Sequence, residues 1–163
     1  MFVYHSLKPV YTKNSKVLIL GSIPSVTSRE LGFYYAHPQN RFWKTLERVY
    51  QEKIGPSKQE KMAFLKKHNI ALFDVLQSCD IVNSSDASIK NPIPNDLVSL
   101  LNKTEIQAIF TTGKKAYELY QKYCYPVTHI EAIPLPSTSP LYCPKGVEEK
   151  LKESYKQIRK FTD

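Results

Sequence analysis

Closely spaced cysteines are missing from this chain. Cys79, Cys124 and Cys143 stand far apart with no CxxC unit, which argues against a zinc finger, an iron–sulfur cluster and a disulfide framework and fits a reducing compartment. Without Cys/His groups at metal-ligand spacing, neither a metal nor another cofactor is expected. Long apolar runs are missing too. No segment approaches the ~20 apolar residues of a membrane span, and the opening MFVYHSLKPVYTKNSK lacks the apolar stretch of a signal peptide. The expectation is a cytoplasmic protein with no membrane partner. No internal repeat, low-complexity run or linker breaks the chain. Acidic residues are in deficit: 15 Asp plus Glu face 23 Lys plus Arg, a formal net charge of +8. A compact body with that excess attracts polyanions through a field that salt screens. Nucleic acid is therefore the first partner to consider, although a solvated lysine-rich face would give the same total.

At 163 residues and 42% hydrophobic content, the chain suits one domain over 1–163, expected as a monomer, and is too short for two ordinary ones. Lys16–Leu20 is a continuous apolar run stopped by Gly21, as in a strand buried on both faces. Similar runs occur at Ala71–Leu76, at Ala108–Thr112 before Gly113, and at His129–Ile133 before the sequence LPSTSP. Between them lie helical spacings: Phe42, Leu46 and Val49; Met62 and Leu65 after Pro56; Leu97, Leu100 and Leu101 behind a cap at Asn95. Ala116, Leu119 and Tyr120, then Leu151, Tyr155 and Ile158, continue the pattern. Alternation of this kind predicts an α/β fold, a three-layer α/β/α sandwich around a mainly parallel four-stranded sheet. Ligands of such sheets sit beyond the carboxyl ends of the strands. That rule points to 21–25, to 77–91 with its long serine-rich loop Ser84–Ser88, to 111–113 and to 135–142.

Three segments carry the candidate chemistry. In GSIPS, residues 21–25, a glycine and a proline turn the backbone off a strand and present amides; a plain βα turn is the bland alternative. Phe33–Trp43, FYYAHPQNRFW, packs aromatics, a histidine, an amide and an arginine just ahead of a helix, although Phe42 and Trp43 also suit a core and His37 a turn before Pro38. In Leu135–Pro140, LPSTSP, hydroxyls between prolines form either a rigid loop or a grip for phosphates.

Together these segments resemble the uracil-DNA glycosylase superfamily, most closely its hypoxanthine-DNA glycosylase branch. That branch has motifs close to GSxPG, AHPxNRFW and LPSTSP in this order. FDVLQSCDIVNSSDASIKNP and IFTTGKKA are similar to its second and third strands with their loops, so the resemblance spans roughly residues 16–142. It implies a monofunctional enzyme that hydrolyses the N-glycosidic bond of a deaminated base in DNA, hypoxanthine first, with uracil or xanthine as further substrates. Such chemistry needs stabilisation of the departing base and a positioned water. The resemblance implies Asn40 as the water-positioning residue, its carbonyl accepting from water while its nitrogen bonds another group. The mismatch-uracil branch carries an asparagine where Ser22 stands, which favours the hypoxanthine branch here.

The target base must be flipped into a pocket. The resemblance implies Tyr35 as the stacking face, with Gly21, Ser22, Ile23, Pro24, Thr111 and Thr112 around the base and the amides of Ser22 and Ile23 reading its edge. Pro136, Ser137, Thr138, Ser139 and Pro140 are implied at the DNA strand, with Leu141 or Tyr142 as a wedge in the base stack. Three positions depart from the family pattern: Ser25 replaces a glycine, Thr112 an asparagine, and Leu141-Tyr142 a small residue followed by asparagine. They leave the preferred base open. The alternatives are a uracil or mismatch-uracil glycosylase, or a catalytically silent DNA- or nucleotide-binding module on the same fold. Lys114 and Lys115 after the third strand are read as phosphate or solvent contacts, not as lyase nucleophiles.

Overall fold

In the computed structural model, which describes residues 1–163, the elements run β1 (Phe2–Tyr4), β2 (Val17–Gly21), α1 (Val26–Leu31), α2 (Phe42–Tyr50), α3 (Lys58–Lys67), β3 (Ile70–Asp74), β4 (Leu76–Asp80) and β5 (Lys90–Pro94). They continue as α4 (Leu97–Asn102), β6 (Ala108–Thr112), α5 (Lys114–Tyr123), α6 (Tyr125–Thr128), β7 (Ala132–Leu135), α7 (Val147–Tyr155) and α8 (Arg159–Thr162). The central sheet has four strands, all parallel, in the order β3-β2-β6-β7.

β2 explains why the layers are three. Its residues alternate between two cores: Val17 and Ile19 pack with Phe42, Leu46, Leu65, Leu151 and Tyr155 on one face. Leu18 and Leu20 pack with Leu97, Leu100, Leu119 and Tyr120 on the other. A strand feeding two cores must be apolar at every position, which is the continuous run seen in the sequence. Helices α2, α3 and α7 thus cover one face, while α4 and α5 cover the other. No helix is long and apolar enough to cross a membrane.

Several expected elements are displaced, each for a local reason. The run Ala71–Leu76 is two strands, because the chain leaves the parallel sheet after Asp74 and starts β4 at Leu76 in a second, antiparallel sheet ordered β1-β4-β5. Period-2 and continuous patterns alone cannot mark such a change of sheet. The last strand begins at Ala132 and not at His129, since His129 caps α6 in the left-handed region at φ 59°. Asp96, not Asn95, caps α4, its side chain accepting from the Ser99 amide. Helix α1, absent from the sequence reading, is capped by Ser25, whose hydroxyl accepts from the Ser28 amide at 3.1 Å, so the serine in place of the family's glycine has a structural use here.

Asn95 holds the point where the chain changes sheets. Its Nδ2 donates to the carbonyls of Asp74 (2.9 Å) and Leu76 (3.0 Å), and its backbone amide donates to Val75 O (2.8 Å). Asn95→Ala leaves two carbonyls beside the sheet unpaired and should destabilise the protein by about 1–3 kcal/mol. The check is chemical denaturation, with a fall in Tm of several degrees alongside; an unchanged midpoint would remove Asn95 from this role.

Candidate active site

The strand order places β2 and β6 side by side while their connections depart in opposite directions, and a crevice opens at their carboxyl ends. It forms a cavity of about 390 Å³, bordered by Gly21–Ser25 after β2, Asp74 at the end of β3, Thr112 at the end of β6, and Ser137–Leu141 after β7. Tyr35, His37 and Asn40 border it from the segment before α2, and Ser84 and Asp86 from the loop after β4. That volume is within the range of small-ligand sites.

Most of the expected site residues meet here, including Gly21, Ser22, Ile23, Pro24, Tyr35, Asn40, Thr112, Ser137, Thr138, Ser139, Pro140 and Leu141. Thr111 is a correction. Strand alternation turns it away from its neighbour Thr112, and it lies fully buried outside the cavity with an unpaired Oγ1. Pro136 and Tyr142 also lie off the cavity wall: the Pro136 carbonyl accepts from Tyr155 Oη at 3.5 Å, and Tyr142 is exposed.

The turn after β2 behaves as its sequence suggests. Gly21 O and Ser22 O accept from Val75 N and Leu76 N, pinning the turn to the β3–β4 junction, whereas the N–H groups of Ser22 and Ile23 donate to no protein acceptor. Two backbone donors are thus free at the cavity. The Ser22 hydroxyl is committed: it donates to Asp86 Oδ1 at 2.7 Å. Asp86 belongs to an exposed turn and is itself exposed, although its carboxyl is turned toward Ser22 at the cavity wall. Partial loss of solvent around that carboxyl raises its pKa, against the lowering effects of the Ser22 hydrogen bond and the Lys115 charge.

Asn40 is oriented otherwise than expected. Its Oδ1 accepts from Phe42 N at 2.9 Å, the short polar loop that starts α2, so the amide is held through its oxygen and not through its nitrogen. A carbonyl has two lone pairs, and one of them remains for a water together with the Nδ2 hydrogens.

Tyr35 sits at φ 52°, a sparsely populated conformation for a tyrosine, and its ring lies flat on Phe42 at 3.9 Å between centroids and 9° between planes. Phe42 covers one face. Tyr35 Oη pairs with Thr112 Oγ1 at 3.0 Å, and the phenol pKa is raised by burial and then by the charge of Asp74, so the hydroxyl stays protonated. Tyr34 also borders the cavity, but it is buried and its hydroxyl is committed, donating to Lys8 O at 2.8 Å.

Two contributors escaped the sequence reading. Arg41 sends its guanidinium to Ser139 O (3.0 Å), Tyr142 O (3.0 Å) and Cys143 Sγ (2.6 Å), while its amide donates to Thr138 O (3.0 Å). It therefore ties the LPSTSP loop to the residue next to Asn40. Within that loop Ser137 Oγ and Ser139 Oγ accept from the amides of Ser139 and Leu141, leaving their hydroxyl protons to donate outward. The second contributor is Asp74, whose Oδ2 pairs with His5 Nε2 at 2.8 Å. No spacing rule links residues 69 apart in the chain. A basic residue in NRFW and an acidic residue ending a strand were the only local signals.

The comparisons with known proteins agree with this architecture. A hypoxanthine DNA glycosylase of Methanosarcina barkeri is 31% identical over 112 residues, which is 68% of this chain and 71% of that protein. A hypoxanthine DNA glycosylase of Methanosarcina acetivorans is 33% identical over 111 residues, 67% of this chain and 70% of its own. The solution NMR structure of a Methanosarcina acetivorans protein, provisionally named a uracil DNA glycosylase, superposes with a TM-score of 0.81 at 27% identity, covering 98% of this chain and 99% of that one. The profile of the uracil DNA glycosylase superfamily matches residues 9–160, and the chain belongs to that superfamily.

Proposed function

We propose that this protein is a monofunctional DNA glycosylase that hydrolyses the N-glycosidic bond of deaminated bases, hypoxanthine foremost, and leaves an abasic site. The observation that carries the reading is the meeting of Asn40, the two free amides of Ser22 and Ile23, and the Tyr35–Phe42 stack in one cavity at the sheet's switch point. A flipped base is read on the face of Tyr35 opposite Phe42, with Phe42 backing the ring. The Ser22 and Ile23 amides donate to a base carbonyl and to the negative charge that gathers on the base as it leaves. Asn40 holds a water for the anomeric carbon. The water oxygen bonds to that carbon as the carbon–nitrogen bond breaks, the bonding electrons leave with the base, and the water's proton passes to the departing base or to solvent.

Outside the cavity, the Ser137 and Ser139 hydroxyls and the surplus of lysine and arginine meet the phosphates. Leu141, 89% exposed at the rim, is the apolar wedge that fills the stack behind the flipped nucleotide. Hypoxanthine is placed first because the two relatives described above carry that name and because the Ser22 side chain, committed to Asp86, offers no side-chain amide of the mismatch-uracil type.

Duplexes bearing one hypoxanthine, uracil, xanthine or mismatched thymine, scored for alkali-labile breaks, test the reading directly. Cleavage of none of them would make the protein a silent binding module. Asn40→Ala should slow single-turnover excision by about 100-fold or more with little change in DNA affinity, because a water-positioning group acts mainly in the transition state. Near wild-type turnover would remove Asn40 from the mechanism.

Tyr35→Ala should lower catalytic efficiency by about 5- to 150-fold, the worth of one base–aromatic stack, while Tyr35→Phe keeps most of the activity. Full activity in a folded Tyr35→Ala protein would refute the stacking role. Arg41 separates bracing from phosphate binding. Since its guanidinium is spent on loop carbonyls and Cys143, Arg41→Lys should cut excision by about tenfold without flattening the salt dependence of duplex binding. A phosphate ligand would instead reduce that slope by about one.

A further inference from the structure

Among the residues of FYYAHPQNRFW that border the cavity, His37 takes no part in stacking, water positioning or loop bracing. It opens the turn that carries Asn40: the Asn40 amide donates to His37 O at 2.9 Å, and Pro38 stands at the next position, where its fixed φ suits such a turn. The imidazole folds back over the same turn, and Nδ1 accepts from the Gln39 amide at 3.1 Å. A backbone N–H can only donate, so Nδ1 carries a lone pair and the ring proton sits on Nε2. Nε2–H is thereby fixed as a donor at the far edge of the ring, and no protein acceptor meets it.

The polar groups around it are committed elsewhere. Asn40 Oδ1 accepts from Phe42 N, the Arg41 guanidinium serves Ser139 O, Tyr142 O and Cys143 Sγ, and Tyr35 Oη pairs with Thr112 Oγ1. The Arg41 amide on Thr138 O, at 3.0 Å, holds the end of this turn against the LPSTSP loop, so His37 and the hydroxyls of Ser137 and Ser139 border one cavity from two adjoining segments. His37 is half-buried, and Pro38 and Gln39 after it are exposed, which puts the turn at the mouth of the cavity and not on its floor. With the base on Tyr35 and the anomeric carbon at Asn40, the part of a flipped nucleotide left for a donor at the mouth is its phosphate. A phosphate oxygen accepts and does not donate, which matches a ring edge fixed as a donor.

We propose that His37 Nε2–H donates to a phosphate flanking the flipped nucleotide and, with the serines of LPSTSP, grips the DNA backbone beside the sugar. The proposal rests on the glycosylase reading for its flipped nucleotide and adds a DNA ligand to it. A neutral imidazole displaces no counterion, so this contact fixes register next to Asn40 and leaves the salt dependence of binding to the lysines and arginines.

Two substitutions separate gripping from turn-making. In His37→Asn the side-chain oxygen takes the place of Nδ1 and accepts from the same Gln39 amide, as asparagine does two residues before an amide in an Asx turn, but the donor at Nε2 is gone. His37→Ala removes both. The probes are duplexes bearing one 2′-fluoro-deoxyinosine, in which the fluorine disfavours the oxocarbenium-like state and binding is read without cleavage. In separate duplexes the phosphate 5′ or 3′ of the lesion is replaced by a methylphosphonate. The wild-type protein should lose about 10- to 150-fold in affinity at one of the two positions, the effect of a hydrogen bond to a charged group. His37→Asn should bind the natural-phosphate duplex about tenfold or more weakly with its salt slope unchanged. Its penalty for the same replacement should shrink at least about fivefold, the non-additivity of two groups in contact. Thermal melts establish that each variant is folded. Wild-type affinity in His37→Asn, with loss confined to His37→Ala, makes the imidazole a turn-former alone and overturns the proposal. A methylphosphonate penalty undiminished in His37→Asn at both positions overturns it as well. Either result leaves the glycosylase reading standing where the wild-type protein excises hypoxanthine from the unmodified deoxyinosine duplex. Excision from no damaged duplex, together with a penalty that shrinks in His37→Asn, supports the phosphate contact and overturns the glycosylase reading.

Discussion

The cavity depends on the absence of a side chain at position 21. β2 delivers its carboxyl end at Gly21, and any Cβ there would stand 2.6 Å from Asp74 Oδ1, inside the closest approach that real atoms make. Because β3 flanks β2 in parallel register, with Gly21 opposite Asp74, the carboxylate is pressed against that backbone by the ladder itself. The same glycine is hydrogen-bonded through its carbonyl to Val75, where the chain swings from the parallel sheet to the antiparallel one. Strand register, the change of sheet and the closeness of Asp74 to the turn at 21–25 are one constraint, and the free amides of Ser22 and Ile23 follow from it.

The segment before α2 shows how a site and a core share a short stretch of chain. Asn40 and Arg41 face the cavity and the LPSTSP loop, while Phe42 and Trp43 are buried. Phe42 belongs to both: it packs in the core with Tyr155 and backs Tyr35 at 3.9 Å. Trp43 donates from Nε1 to Tyr34 O at 3.1 Å, fixing the turn that carries the strained Tyr35. Strain of that kind costs roughly 1–3 kcal/mol and persists only where the surroundings over-determine it. Here the surroundings are a stacked ring on one face and the Thr112 hydroxyl at the tip.

Charge is distributed unevenly between outside and inside. The chain as a whole is strongly basic, with a net charge of +8, yet the cavity contains the carboxyls of Asp74 and Asp86. An outer positive field gathers a polyanion without reading its sequence. The Asp74 carboxyl, buried at the end of β3, acts only at contact range, and burial makes it more selective about the group it meets. This separation suits a protein that would search along phosphates and then decide on a single base.

The sequence by itself determined the parallel sheet and its two covering layers, because strands that serve two cores must be apolar at every residue, as Val17–Leu20 are. It also determined where the loops at the strand ends lie, since glycines and prolines close the strands, and Asn40, Tyr35, Thr112 and Ser137–Leu141, which it singled out, border one cavity. Thr111 was misplaced because adjacent strand residues point to opposite sides, and a pair of threonines carries no mark of which one faces the ligand. Only the tertiary structure decided that Asn40 is held through its oxygen, that Arg41 reaches across 98 positions to Ser139, and that His5 meets Asp74. These are long-range pairings of single polar groups. They leave no periodicity in the chain, since each is set by where two folded elements come to rest.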